Sequence, residues 1–96
     1  MSVICLKLLS GDELVGNLIE ETETGIVIGE VASIYMVPGS DPSKMSMGLI
    51  PFLPYSEDSK FYISSSVIVI NHKPSVDLLN NYNRLFGSGI QIAQSL

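Results

Sequence analysis

The chain has one cysteine, one histidine and no tryptophan in 96 residues, and only 16% of its residues are charged. A single cysteine, Cys5, excludes a disulfide scaffold and a multi-cysteine zinc site. Long apolar runs are missing as well. Val3-Ile4-Cys5-Leu6 and Val67-Ile68-Val69-Ile70 stop after four residues, far short of the roughly 18–20 that a spanning helix needs. The N-terminal stretch has no basic region before it, and Lys7 interrupts it. It runs into Ser10-Gly11-Asp12-Glu13, which is turn chemistry and not a small-residue cleavage site. It reads as a first strand, so no membrane partner is expected. The lone thiol fits an intracellular, cytoplasmic chain, in the host cytoplasm if the protein is viral. Positive charge is scarce too. Five Lys and Arg stand against ten Asp and Glu, for a formal charge of −5 and a pI near 4.5. No global positive field draws in nucleic acid.

What the sequence does have is apolar material. It makes up 46% of the residues, with a mean hydropathy of +0.37. Chains of this size hide only about 60–65% of their unfolded surface, so the core is modest. Either both faces of the structure are covered within the chain or a partner covers one. Disorder is excluded by the low charge and high apolar content.

Short β-branched segments alternate with turn signals. Residues 3–9 and 13–20 flank Ser10-Gly11-Asp12, a hairpin whose glycine is free to take a positive φ. The turn Glu21-Thr22-Glu23-Thr24-Gly25 follows, with Gly25 expected as its left-handed residue. A long third strand, residues 26–37, carries Gly29 at its middle, which predicts a bulge or bend. Pro38-Gly39-Ser40-Asp41-Pro42-Ser43 is the strongest loop. Residues 45–53 resume extended, but Pro51 and Pro54 lack ladder donors and confine them to an edge. After the turn at Ser56-Glu57-Asp58-Ser59, residues 61–71 are split in two by Ser64-Ser65-Ser66.

One helix is expected at residues 75–86. Ser75 is its N-cap, Asp77 lies in its first turn, and Gly87 stops it. Val76, Leu79, Tyr82 and Phe86 form one stripe, with Leu78 and Leu85 beside it. The chain is thus a single domain: a barrel over residues 1–71, then a helix and tail over 72–96. The fold class is all-β, a small, strongly bent, five-stranded antiparallel barrel with one C-terminal helix. Residues 3–6 and 67–70 are apolar at every position, whereas a strand with one wet face alternates. The helix can cover one region, and a neighbouring copy is the natural cover for the rest.

The segment Leu6-Lys7-Leu8-Leu9-Ser10-Gly11-Asp12-Glu13-Leu14-Val15-Gly16-Asn17-Leu18 resembles the first hairpin of the Sm-like (LSm) family. Val27-Ile28 and Ile34 continue into a long bent third strand like the family's. Ile63-Ser64-Ser65-Ser66-Val67-Ile68-Val69-Ile70 is similar to its second motif. The likeness spans residues 3–71 and is nearest to small phage-type members, which lack an N-terminal helix and carry a C-terminal one. It implies an SH3-type barrel, a homo-oligomeric ring, and RNA or single-stranded DNA as partner. Two departures stand out. The turn at Glu21–Gly25 has no Asn, and Ile63-Ser64-Ser65 stands where members that bind uridine-rich RNA carry Arg-Gly.

By this resemblance the nucleic-acid contacts fall on Lys60, Tyr62, Ser64, Ser65 and Ser66, with Tyr55 and Lys73 as further candidates. Aromatic rings stack on bases, and serine hydroxyls bond bases or phosphates. Tyr35, Phe61 and Tyr62 are equally well read as core or interface residues, and Tyr55, beside Pro54, as the exposed one. The expected interface strands carry Leu49, Ile50 and Phe52 on one side and Val67, Ile68, Val69 and Ile70 on the other. No catalytic, metal or cofactor site is expected. His72 has no acidic neighbour in sequence, Cys5 lies in an apolar strand, and Glu20, Glu21 and Glu23 lack the ligand count and glycine pattern of a calcium loop. The chain therefore reads as a ring-forming, non-enzymatic protein with weak nucleic-acid binding, or as a structural or adaptor homo-oligomer without a nucleic-acid site.

Overall fold

The computed structural model describes residues 2–38 and 45–87. β1 (Ser2–Leu8), β2 (Glu13–Glu21), β3 (Gly25–Pro38), β4 (Met45–Pro51), β5 (Lys60–Ser64) and β6 (Ile68–His72) form one antiparallel sheet, and α1 (Val76–Leu85) follows. The strand order is β4-β3-β2-β1-β6, with β5 also on β3. β4 and β5 lie end to end along β3. β5 takes its first half, Gly25 to Gly29, and β4 its second, Ala32 to Pro38. The sheet therefore has six strands where five were expected, because the segment read as one broken strand pairs as two. Lys44, in the loop signal, and the tail after Gly87 lie outside the described residues.

The β1–β2 turn closes as its composition dictates. Gly11 has φ +97, and its N–H donates to the Leu8 carbonyl at 2.9 Å. At Gly25 the expectation fails, since its φ is not positive. Its glycine is needed for space. A Cβ there would strike the Ile63 carbonyl oxygen and lie 2.9 Å from the Tyr62 ring. The bend in β3 comes where Gly29 predicts it, but the left-handed φ of 46° belongs to Glu30. Such a φ costs a non-glycine residue about 1–2 kcal/mol, and the surroundings hold it there. The Glu30 N–H donates to the Ser59 carbonyl at 3.3 Å. The Tyr82 hydroxyl donates to the Glu30 carbonyl at 2.6 Å. Asn17 Nδ2 donates to the Glu30 carboxylate at 3.1 Å.

Strand alternation then builds two cores. Ile4, Leu6, Leu14, Ile26, Ile28 and Val31 point inward and form the barrel interior, with Phe52, Phe61, Ile63 and Ile68 packed against it. Cys5, Val15 and Ala32 point to the other face and are covered by Leu78 and Tyr82 of α1. The helix begins as expected: the Ser75 hydroxyl accepts from the Leu78 N–H. The continuous apolar run at residues 3–6 is thereby explained, one parity facing the barrel and the other the helix. The run at 67–70 has no such cover. Only Ile68 packs on the core, while Val67, Val69 and Ile70 remain exposed.

Candidate functional site

β5 reaches β6 through a single 3-10 turn, Ser65–Val67. This turn crosses from the β3 side of the sheet to the β1 side. Ser65 N–H donates to the Thr24 carbonyl at 2.8 Å, and Leu9 N–H donates to the Val67 carbonyl at 2.7 Å. The crossing seals the barrel and brings the β2–β3 turn against the serine segment. Thr22 organises its own turn, its hydroxyl accepting from the Thr24 and Gly25 N–H groups at 3.2 and 3.0 Å. The Tyr62 hydroxyl donates to Thr24 Oγ1. Ser64 accepts from the Ser66 N–H, and the two hydroxyls lie 2.9 Å apart.

The result is an open cleft of about 420 Å3 lined by Glu21, Thr22, Gly25, Ile26, Ser65, Ile68, Val69 and Asn71. Its chemistry is mixed: a carboxylate, hydroxyls, an amide and an apolar wall, with no cation among the lining residues. Of the expected nucleic-acid residues, Tyr62, Ser64, Ser65 and Ser66 gather beside it. Lys60 does not, because it sits at the far end of β5, opposite Gly29, about 13 Å along the strand from Ser64 at 3.3 Å per residue. Tyr55 lies in the β4–β5 connection and Lys73 in the β6–α1 connection, on other parts of the surface. Tyr55 is exposed, as expected, but so are Tyr35 and Tyr62. Their rings lie on strand positions that face out, which sequence parity alone did not fix. Glu21 and Thr22 belong to the turn that the resemblance pairs with the serine segment, whereas Asn71 was not anticipated as a cleft residue. Only the crossing turn brings the three together.

The second feature is the pair of free strand edges. β6 ends one side of the sheet, and the outer edges of β4 and β5 end the other. Val69 is 57% exposed and Ile70 49% at one edge, and Ile50 is 52% exposed at the other. Leu49, Phe52 and Ile68 pack within the subunit: Leu49 against the helix-side core, Phe52 and Ile68 against the barrel core. Phe52 also meets Phe61 edge-on at 5.7 Å.

Cys5 and His72 are cross-strand partners in the β1–β6 ladder, so the fold brings the sole cysteine and the sole histidine to adjacent strand positions. The pairing does not make a nucleophile. Burial, with the Glu13 charge adding to it, pushes the Cys5 thiol up to about 11, whereas a reactive cysteine is held low. The His72 ring is exposed, with Nδ1 3.2 Å from the Lys73 carbonyl. Among the described residues, no group of three or more His, Cys, Asp and Glu could hold a metal ion. No helix among them is long and apolar enough to cross a membrane. No protein-family model matches the chain, and no curated protein is significantly similar to it.

Proposed function

We propose that the chain is a ring-forming subunit of Sm-like type that holds single-stranded RNA or DNA weakly at the cleft between the β2–β3 turn and Ser65. The observation that carries assembly is the β6 edge. It leaves Val69 and Ile70 about half exposed on a strand whose outer edge is unpaired, which in a free monomer is an aggregation hazard. The other unpaired edge, β4–β5, is a different surface. Pairing β6 of one copy with β4–β5 of the next is therefore head-to-tail, and such contacts repeat until they close.

Nucleic-acid binding is supported by Ser65 in the cleft lining and by Tyr62, Ser64 and Ser66 in the neighbouring segment. Each neutral hydrogen bond contributes about 1 kcal/mol, so affinity rests on repetition around the ring. Glu21 lines the cleft without a neighbouring cation and repels phosphate, which makes the binding weak and poorly sequence-specific. That same carboxylate favours the second reading, a structural or adaptor homo-oligomer with no nucleic-acid site. A short single-stranded oligonucleotide, RNA and then DNA, titrated at low and moderate salt separates the two. Binding at low salt that is lost in a Ser65→Glu variant of unchanged oligomeric mass supports the first. No binding at low salt leaves the adaptor.

A further inference from the structure

A second cavity, of about 660 Å3, lies where the start of β1, the middle of β2, the β6–α1 connection and α1 meet. Its lining is Ser2, Val3, Ile4, Asn17, Leu18, Lys73, Pro74, Leu79 and Asn83. The size is that of a small-molecule site, and so is the chemistry, an apolar body with a few converging polar groups. Val3, Pro74 and Leu79 supply the apolar walls. Asn17 is held in place by its bond to the Glu30 carboxylate. The only charged side chain in the lining is Lys73, in a chain with twice as many acids as bases.

We infer that this cavity binds a small amphipathic carboxylate, its apolar body against Val3, Pro74 and Leu79 and its carboxylate on Lys73. Charge selects the sign of the ligand: the cavity offers a cation and no carboxylate. The volume, about 660 Å3, is that of a small-molecule site. The cavity shares no lining residue with the Glu21–Ser65 cleft, and the inference stands whether or not the chain forms rings or binds nucleic acid.

Calorimetric titration of the full chain with sodium octanoate tests it, with octylammonium chloride as the charge-reversed probe. Octanoate is expected to bind saturably at one site per chain, and octylammonium not to bind. Lys73→Gln should weaken octanoate about tenfold, the loss of one charge-assisted contact. Ser2→Trp, which fills the cavity from an exposed position, should abolish binding. Both substitutions lie at exposed positions, and unchanged oligomeric mass and melting temperature verify that each variant is folded. The inference is overturned if octanoate shows no saturable binding to the wild type, if octylammonium binds as well, or if the Lys73→Gln variant binds octanoate with wild-type affinity.

Discussion

Replacing Val69 with aspartate separates the fold of the subunit from its assembly. Full burial of a valine or isoleucine side chain is worth about 1.5–3 kcal/mol. Val69 is 57% exposed and Ile70 49%, so completing their burial between subunits contributes about 1–1.5 kcal/mol each. Val69→Asp removes one of these contributions and buries a carboxylate without a partner, at a further cost of about 2–3 kcal/mol. The loss is then about 3–4 kcal/mol per interface, a few hundredfold in association at 1.4 kcal/mol per factor of ten. In a closed ring every interface carries it. The isolated subunit should hardly notice, because a substitution at an exposed site shifts stability by about 0.5 kcal/mol or less. Light scattering coupled to size exclusion at micromolar concentration should show the wild type as an oligomer and the variant as a monomer. Circular dichroism should show the same strand-rich spectrum for both. A wild-type monomer, or a variant that assembles like the wild type, refutes the reasoning. A variant that unfolds shows that the Val69 side chain is part of the subunit core.

Tyr82→Phe leaves the Glu30 carbonyl without the hydroxyl that meets it at 2.6 Å, and should cost about 1–3 kcal/mol, lowering the melting temperature by about 5–15 °C; a shift under 2 °C would show the bond to be dispensable. Gly25→Ala forces a Cβ onto the Ile63 carbonyl oxygen and should destabilise by about 1–3 kcal/mol in a urea melt, whereas a neutral result would mean that β3 and β5 separate easily. The Cys5 thiol, raised to about 11 in the fold, stays neutral there while the unfolded thiol ionises from about pH 8.5. Stability is therefore full below that pH and falls as pH rises from 9 to 11, by about 2 kcal/mol, and Cys5→Ala should flatten that slope in melts across the range. By the same burial, a thiol reagent at pH 8 should label Cys5 only as the chain unfolds.

Local chemistry was legible in the sequence wherever a feature depends on neighbours in the chain. Gly11 in its turn, Ser75 at the helix start, the stop at Gly87 and the serine break between β5 and β6 are set within a few residues by φ preference and capping. The fully apolar run at residues 3–6 likewise announced a strand covered on both faces. The same pattern at 67–70 left the source of cover open, because a run of apolar residues states that cover is needed and not where it comes from. The helix lies over Cys5, Val15 and Ala32 and leaves Val69 and Ile70 bare. The tertiary structure alone decided which strand pairs with which half of β3, and so that six strands form where five were counted. It alone put a left-handed residue at Glu30, beside the bend expected at Gly29, since the bonds that hold that backbone come from Ser59 and Tyr82, 29 and 52 residues away. The candidate cleft divides the same way. Tyr62, the three serines and the Glu21–Gly25 turn stood out in sequence, but Asn71 joins them only because the 3-10 turn crosses from one side of the sheet to the other. Contacts between residues 40 or more apart carry no local signature, and they set the chemistry of both cavities.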